Sequence, residues 1–460
     1  MNTSRLVSQF DSNAQKRVLR SVVGRRYDNL YYNIDSSSVE IIENSACCGR
    51  YKVNLSSPSY GAMSTIQIPN TGSFVGKCYL HLEIPAPADG NWALTRAWGL
   101  ALIQSVELLY PNSNIQSTKV DRTAIWHSLY SSCNDSVQLD NYMRLAGEAF
   151  NGEALVQDKI EGKFIADIVL DLPFSNYASG KNSKKYFDTS LVMAPFQVNV
   201  AFNDFRSIWG NTYVPPSNNF TAQFFYRQLD LSNTNDSLKN ELFSTPGMSL
   251  TYPSLYRQSF PVNFVAPAAP ALATDPATVV ELNLQSFINA DVLSIDLSCH
   301  LRSEITPTVA NSPVSPWNAL PIYDLEFKFG GSVIYSVPRW AYRLVNQEGN
   351  SGGLYLSNDV QNNPSGAAAG VKNGPVKNYI VQIDMSRLRA GLDTSDFPNT
   401  IRFTSQTLQI SFRVPSNYVI PGTPNTVVPI AGQSCVLLAT YYYPQVTIIN
   451  DSSAINVFYS

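Results

Sequence analysis

From about residue 50 onward the chain alternates apolar and polar residues in short runs closed by Pro, Gly, Asn or Ser. This is the period-two signature of strands with one buried face. The first half supplies STIQIPN (64–70), KCYLHLEIP (77–85), LIQSVELLYP (102–111), KFIADIVLDLP (163–173), FQVNVAFND (196–204) and FTAQFFYRQLDL (220–231). Two stretches follow a helical period instead, and helices are predicted over 118–130 and 136–148. In the former, Ile125 and Leu129 share a face, as do Trp126 and Tyr130. After STPGMSLTYPS (244–254) a second strand series begins. It runs through VELNLQSF (280–287), VLSIDLSCHL (292–301), IYDLEFKFGGSVIYS (322–336), NYIVQIDM (378–385), LQISFRV (408–414) and VLLATYYYPQVTII (436–449). A linker is expected near 235–250.

The two series resemble each other in order and spacing. Ser105-Val106-Glu107-Leu108 leads through a Pro-Asn-Ser turn to Ile115 and then Trp126; Asp324-Leu325-Glu326-Phe327 leads through Gly330-Gly331-Ser332 to Ile334 and then Trp340. The spacing from glutamate to isoleucine is the same in both, as expected where turn length fixes a hairpin register. Residues 80–84 match 293–297, 169–172 match 382–385, and 196–200 match 408–412, at offsets between 212 and 219 residues. Alternating hydrophobic residues are common in any β protein, so one match carries no weight. Colinear matches at a nearly constant offset predict two tandem sandwiches of one topology.

Composition sharpens this picture. The chain has 460 residues, too many for one core, and two domains are the natural division. Charged residues make up 15% against 44% apolar, well below the roughly 25% charge of an ordinary soluble domain. The polar remainder is rich in residues that favour strands, turns and long loops. A weakly charged surface loses little when buried against copies of itself, because few ions need desolvating. The wide spacing of the strands suggests jelly rolls with elaborate connections. The Gly/Asn-rich stretch 346–378 and the Pro/Ala run 264–278 read as loops.

The formal net charge is −3 and the pI about 5.7, which gives no global footprint for nucleic acid. Up to residue 26, however, Arg5, Lys16, Arg17, Arg20, Arg25 and Arg26 stand against the single acid Asp11. This basic arm is either a solvated terminus or an assembly arm that reaches a neighbour, a membrane headgroup or a packaged genome. No apolar run is long enough to span a bilayer, and the N-terminus lacks the apolar core of a signal peptide. Folding in a cytoplasm is therefore expected. Cys47, Cys48, Cys78, Cys133, Cys299 and Cys435 show no metal-ligand rhythm and read as reduced, mostly buried thiols.

Candidate chemistry is sparse. The three histidines, His81, His127 and His300, fall in apolar contexts and read as satisfied structural residues. No HExxH, GxSxG, CxxC or GxGxxG occurs. Glu83, Glu107, Asp171 and Glu326 could be combined into a carboxylate pair, as in any sandwich. Glu107 and Glu326 are better explained by a shared structural role, such as receiving backbone amides or a cross-strand cation. No catalytic residue, metal or cofactor is expected.

The block Gly99-Leu100-Ala101-Leu102-Ile103-Gln104-Ser105-Val106-Glu107-Leu108, followed by Ile115 and Trp126, resembles a block in the first roll of the double jelly-roll major capsid proteins. These belong to icosahedral DNA viruses: tectivirus-like phages, virophages, Polinton-like viruses and large nucleocytoplasmic viruses. The likeness covers about 50 to 460. Residues 220–245 lack the FNHPVKEL-like stretch of the last group, which points to a more divergent branch. The resemblance implies an all-β chain of two tandem eight-stranded jelly rolls, with short helical insertions and long loops. The expected limits are an arm at 1–48, a first roll at 49–240 and a second at 241–460. It further implies a homotrimeric capsomer of pseudo-hexagonal outline in the virion shell. Its partners would be neighbouring capsomers, minor capsid or penton proteins, and an internal membrane or genome met by the arm. The competing readings are a secreted β-sandwich that binds or hydrolyses carbohydrate, and a viral spike.

Overall fold

The computed structural model describes residues 47–55, 57–69, 73–87, 93–95, 97–109, 117–121, 125, 136–147, 162–170, 186–188, 195–210, 213–230, 249–264, 276–277, 282–284, 291–292, 294–305, 319–320, 322–329, 332–337, 380–385, 401–402, 408–415, 417–419, 427–429, 432–449 and 455–459. Residues 1–46 of the expected arm, the loop at 346–378 and residues 235–248 of the expected linker lie outside them; the arm's Cys47 and Cys48 and the linker's Ser249 and Leu250 belong to strands.

Up to Asp230 the strands are β1 (Cys47–Asn54), β2 (Met63–Ile68), β3 (Ser73–Pro85), β4 (Ala93–Leu94), β5 (Ile103–Leu109), β6 (Ser117–Asp121), β7 (Lys163–Leu170), β8 (Tyr186–Asp188), β9 (Phe196–Phe202), β10 (Trp209–Gly210) and β11 (Thr221–Asp230). They form one sheet ordered β1-β11-β3-β7, with β8 also on β3, and a second ordered β2-β9-β5-β6. All these pairings are antiparallel.

The later strands are β12 (Ser249–Val262), β13 (Pro276–Ala277), β14 (Leu282–Leu284), β15 (Asp291–Val292), β16 (Ser294–Leu301), β17 (Tyr323–Phe329), β18 (Ser332–Val337), β19 (Val381–Asp384), β20 (Ile401–Arg402), β21 (Leu408–Pro415), β22 (Asn417–Val419), β23 (Val427–Pro429), β24 (Cys435–Ile449) and β25 (Ile455–Tyr459). One sheet runs β12-β24-β16-β19, with β25 on β24; the other runs β13-β21-β17-β18, with β14 on β21. In the first set β1 lies beside β11, and β3 beside both β11 and β7; in the second β12 lies beside β24, and β16 beside both β24 and β19, so the two halves share one strand order. Two jelly rolls in tandem follow from this pairing alone.

The register supports the matches of 80–84 with 293–297 and of 196–200 with 408–412 as drawn, and the first match at its two glutamates, while Ile115, Trp126 and Trp340 lie outside the described residues. Glu107 stands opposite Asn199 and Glu326 opposite Ser411. A register break interrupts the start of both central strands, between Ile103 and Ser105 and between Tyr323 and Glu326. The match between 169–172 and 382–385 is corrected: Gln382 faces Asp296 where Ile165 faces Glu83, so Ile165, not Val169, is the partner of Gln382.

Alternation fills the two cores. Leu80, Leu82 and Ile84 of β3 meet Phe164, Ala166 and Ile168 of β7 and Val198 and Val200 of β9 in the first; Ile295 and Leu297 meet Leu325, Phe327, Ile410 and Phe412 in the second. Each such side chain, fully buried, contributes about 1.5–3 kcal/mol of transfer free energy.

The helix expected at 118–130 is corrected over its first residues, which form β6. Val120 there faces Val106, and Lys119 faces Glu107. Pairing with β5 satisfies the backbone of this segment and overrides its local helical pattern. The helix expected at 136–148 is present as Ser136–Leu145. A short helix, Trp98–Leu102, is wholly buried. It needs Gly99, because a β-carbon there would lie 2.5 Å from Ala166 Cβ. The Gly99 amide also donates to the Ala146 carbonyl at 3.0 Å.

Candidate assembly surfaces

Alternation along β3 turns Tyr79, His81 and Glu83 away from the core, onto the outer face of β1-β11-β3-β7. Pairing sets Asp167 opposite His81 and Ile165 opposite Glu83 on β7, and Gln223 and Phe225 opposite His81 and Tyr79 on β11. His81 Nδ1 lies 2.7 Å from Asp167 Oδ1, and its Nε2 lies 3.1 Å from Glu83 Oε1. Lys163 Nζ donates to Glu83 Oε2 at 3.1 Å, and Phe225 meets the imidazole edge to face at 6.3 Å.

The hydrogen bond to Asp167 raises the His81 pKa; desolvation opposes it, and Glu83 adds to the rise. For Glu83, burial favours the neutral acid, but the hydrogen bonds and charges of His81 and Lys163 together bring its pKa below the usual value. Two carboxylates thus clasp the His81 ring on a face still open to water. The expectation of an apolar setting for His81 is corrected. The missed signal was the alternation itself, which sends every second residue of KCYLHLEIP outward.

The corresponding face of the second roll is closed. Asp296, Ser298 and His300 of β16 alternate with the core residues Ile295, Leu297 and Cys299, yet all three are buried, as is Thr440 of β24. Tyr442 Oη donates to Asp296 Oδ2 at 2.9 Å, and His300 Nε2 lies 2.8 Å from Ser298 Oγ. Tyr442 and Ile380, both on this outer face, pack into the core of the first roll. Strand β6 of the first roll also touches β12. The seam between the rolls therefore runs along this face.

The remaining sheets carry polar rows in which neutral side chains bond to a glutamate. Thr65 Oγ1 donates to Asn199 Oδ1 at 2.8 Å, and Asn199 Nδ2 donates to Glu107 Oε2 at 3.2 Å. In the second roll Ser411 Oγ reaches Glu326 Oε2 at 3.5 Å. In both rolls the described donor to the glutamate is a side-chain amide or hydroxyl, and Lys119 stands opposite Glu107 on β6. Trp126, Trp340, His127 and the six basic residues of the arm lie outside the described residues. Among the described residues, no group of three or more His, Cys, Asp and Glu side chains is arranged to hold a metal, and no helix is long and apolar enough to cross a membrane.

This strand order, repeated in both halves, defines the double jelly-roll fold. The same fold is found over nearly the full chain in solved viral proteins. The quasi-atomic model of the PBCV-1 virus capsid matches with a TM-score of 0.57 at 11% identity, covering 90% of this chain and 97% of that one. The crystal structure of the mavirus major capsid protein matches with a TM-score of 0.52 at 12% identity, covering 89% of this chain and 90% of that one. At such identities the likeness establishes the fold. No family model matches the sequence, and no curated protein is similar to it in sequence.

Proposed function

We infer that this chain is a structural, non-enzymatic protein: the major capsid protein of an icosahedral DNA virus, which self-assembles into trimeric capsomers of pseudo-hexagonal outline. The observation that carries this reading is the pair of rolls with one strand order in a single chain, matched over 90% and 89% of its length with viral capsid structures. The weakly charged composition supports it, since a surface with few ions can be buried against sister copies at small desolvation cost.

The rolls are assigned to 49–240 and 241–460, with the arm at 1–48. Arg5, Lys16, Arg17, Arg20, Arg25 and Arg26 are read as an assembly contact toward a neighbouring capsomer, an internal membrane or the genome. Glu107, Glu326, Trp126 and Trp340 are read as duplicated structural positions. Neighbouring capsomers and minor capsid or penton proteins are the expected partners, with assembly in the host cytoplasm. Mass photometry of the purified chain tests the reading: a trimer burying more than ~2,000 Å² is expected, and a stable monomer at micromolar concentration overturns it. Deleting residues 1–26 should abolish incorporation into particles, and unchanged incorporation would remove the arm from this account.

A further inference from the structure

The last strands of the two rolls have different neighbours. On one side β11 pairs with β3 from Thr221 to Leu229, and Arg227, Gln228 and Leu229 stand opposite Val75, Phe74 and Ser73. Strand β24 keeps the counterpart of β3, which is β16, only from Cys435 to Tyr442. Beyond that point β25 takes over, with Val446, Thr447 and Ile448 opposite Phe458, Val457 and Asn456. Thr221 and Thr440 are equivalent, since each faces one of the matched acids, Glu83 or Asp296. Counted from these threonines, Arg227, Gln228 and Leu229 are equivalent to Val446, Thr447 and Ile448. Three residues of the C-terminal strand thus sit where the first roll places the start of its third strand.

The second half of the sequence has its own segment for that place. Ser286-Phe287-Ile288 repeats Ser73-Phe74-Val75 at the same offset that matches 293–297 with 80–84. Residues 286–288 lie outside the described residues, and the described piece that follows them, β15, pairs with β20. One edge of β24 therefore has two claimants in one sequence, and the C-terminal strand holds it. In the first roll the same order is complete without any such addition.

Strand β25 is suited to pairing with another chain. Ile455-Asn456-Val457-Phe458-Tyr459 has no proline, glycine or charge and is rich in strand-favouring residues. Edge strand β12 carries Pro253 and Pro261, and edge strand β1 carries Arg50 and Lys52. Such residues guard an edge against foreign strands, and β25 has none. It is joined to β24 by Asn450-Asp451-Ser452-Ser453-Ala454, five residues that reach about 17 Å when extended. A terminal strand makes the same backbone bonds with a sister sheet as with its own, so exchanging it links copies at low cost.

We propose that β25 is exchanged between copies, each copy's Ile455–Tyr459 pairing with the Gln445–Ile449 edge of β24 in another. This rests on the capsid reading, and it adds a link carried by the chain's last residues, separate from any packing of roll on roll.

Thr447 and Val457 face one another across β24 and β25, so cysteines at these positions can close a disulfide when the strands pair. Thr447→Cys and Val457→Cys are placed in separate full-length chains, which are co-expressed and oxidised. The oligomers they form are then denatured without reductant. A covalent heterodimer is expected, above the background that the native cysteines give with either variant alone. Both substitutions in one chain provide the comparison. If that chain closes an internal bond while the separate chains give no heterodimer, the exchange is overturned and the capsid reading stands. No bond in either arrangement would mean that the strands do not pair, which also overturns the exchange. A wild-type chain that is itself monomeric would remove the capsid reading and this inference together. A chain ending at Ala454 supplies a second measurement. It should fold, with amide protection kept across Gln445–Ile449, because the second half of the sequence has a substitute for β25. Unfolding, or protection lost there, would make β25 integral to its own roll and overturn the proposal.

Discussion

Tyr442 donates its phenolic proton to the buried carboxylate of Asp296 across β24 and β16. The bond lies on a sheet face that alternation assigns to water and that the first roll covers instead. Buried acceptors are costly when left short of donors, at about 1–3 kcal/mol. Tyr442→Phe should therefore destabilise the chain by roughly that amount, measured as a lower urea midpoint. Because Tyr442 packs into the first core, the variant should also separate the unfolding of the two rolls. An unchanged midpoint would mean that Asp296 is satisfied without this donor.

Gly99→Ala places a methyl group 2.5 Å from Ala166 Cβ, with Ile168 Cδ1 and the Ala146 carbonyl also close. Overpacking of this kind costs about 1–3 kcal/mol, visible as a lower melting temperature. Adding Ala166→Gly should restore part of the loss. If the double variant melts no higher than Gly99→Ala alone, the contact with Ala166 is not the cause.

The cluster around His81 should make stability depend on pH. Its raised pKa adds stability that is full below the ordinary histidine value and fades as pH rises through the folded value. Glu83, with its pKa lowered, adds stability above the ordinary glutamate value and loses it as pH falls through the folded value. The groups facing His81 on the neighbouring strands are Asp167 and Lys163 of β7 and Gln223 and Phe225 of β11, with Glu83 on its own strand. The melting-temperature gap between wild type and His81→Gln should be widest between the unperturbed values of about 4.3 and 6.5 and narrow toward pH 8. Partial exposure keeps the effect to about 1 kcal/mol or less. A gap independent of pH would sink the explanation.

Cys78, Cys299 and Cys435 are buried and stand outside any disulfide. Burial pushes the Cys435 thiol up to about 12 and raises Cys299 well above its usual value, so neither supplies thiolate at neutral pH. These three sites should resist a thiol reagent in the native chain and react on unfolding, as read by peptide mapping. Fast native labelling of any of them would contradict their burial.

Much of this was legible in the sequence. Alternation located β2, β3, β7, β9, β11, β16, β21 and β24, and the matched pair Glu107 and Glu326 landed at one register position in each roll. Strand β12 was missed because Pro253 and Pro261 interrupt its pattern. It tolerates them as an edge strand, where missing amides remove few ladder bonds. Pro253 also faces Pro444, at the point where β24 changes neighbours from β16 to β25. Strand β6 was misread because Ser117–Asp121 carries one apolar residue, Val120, too few to show a two-residue period. The unequal fate of the two outer faces was invisible: β3 and β16 alternate alike, and only the position of the other roll decides which of them stays wet.

The seam inside the chain has a kinetic consequence. Because β6 and β12 belong to one polypeptide, their encounter occurs at an effective concentration of millimolar order, whatever the dilution of the protein. Half the joints of a six-membered ring would then come ready-made with each molecule. Only the other half would depend on how crowded the compartment is, so closure would scale with the third power of protomer number instead of the sixth.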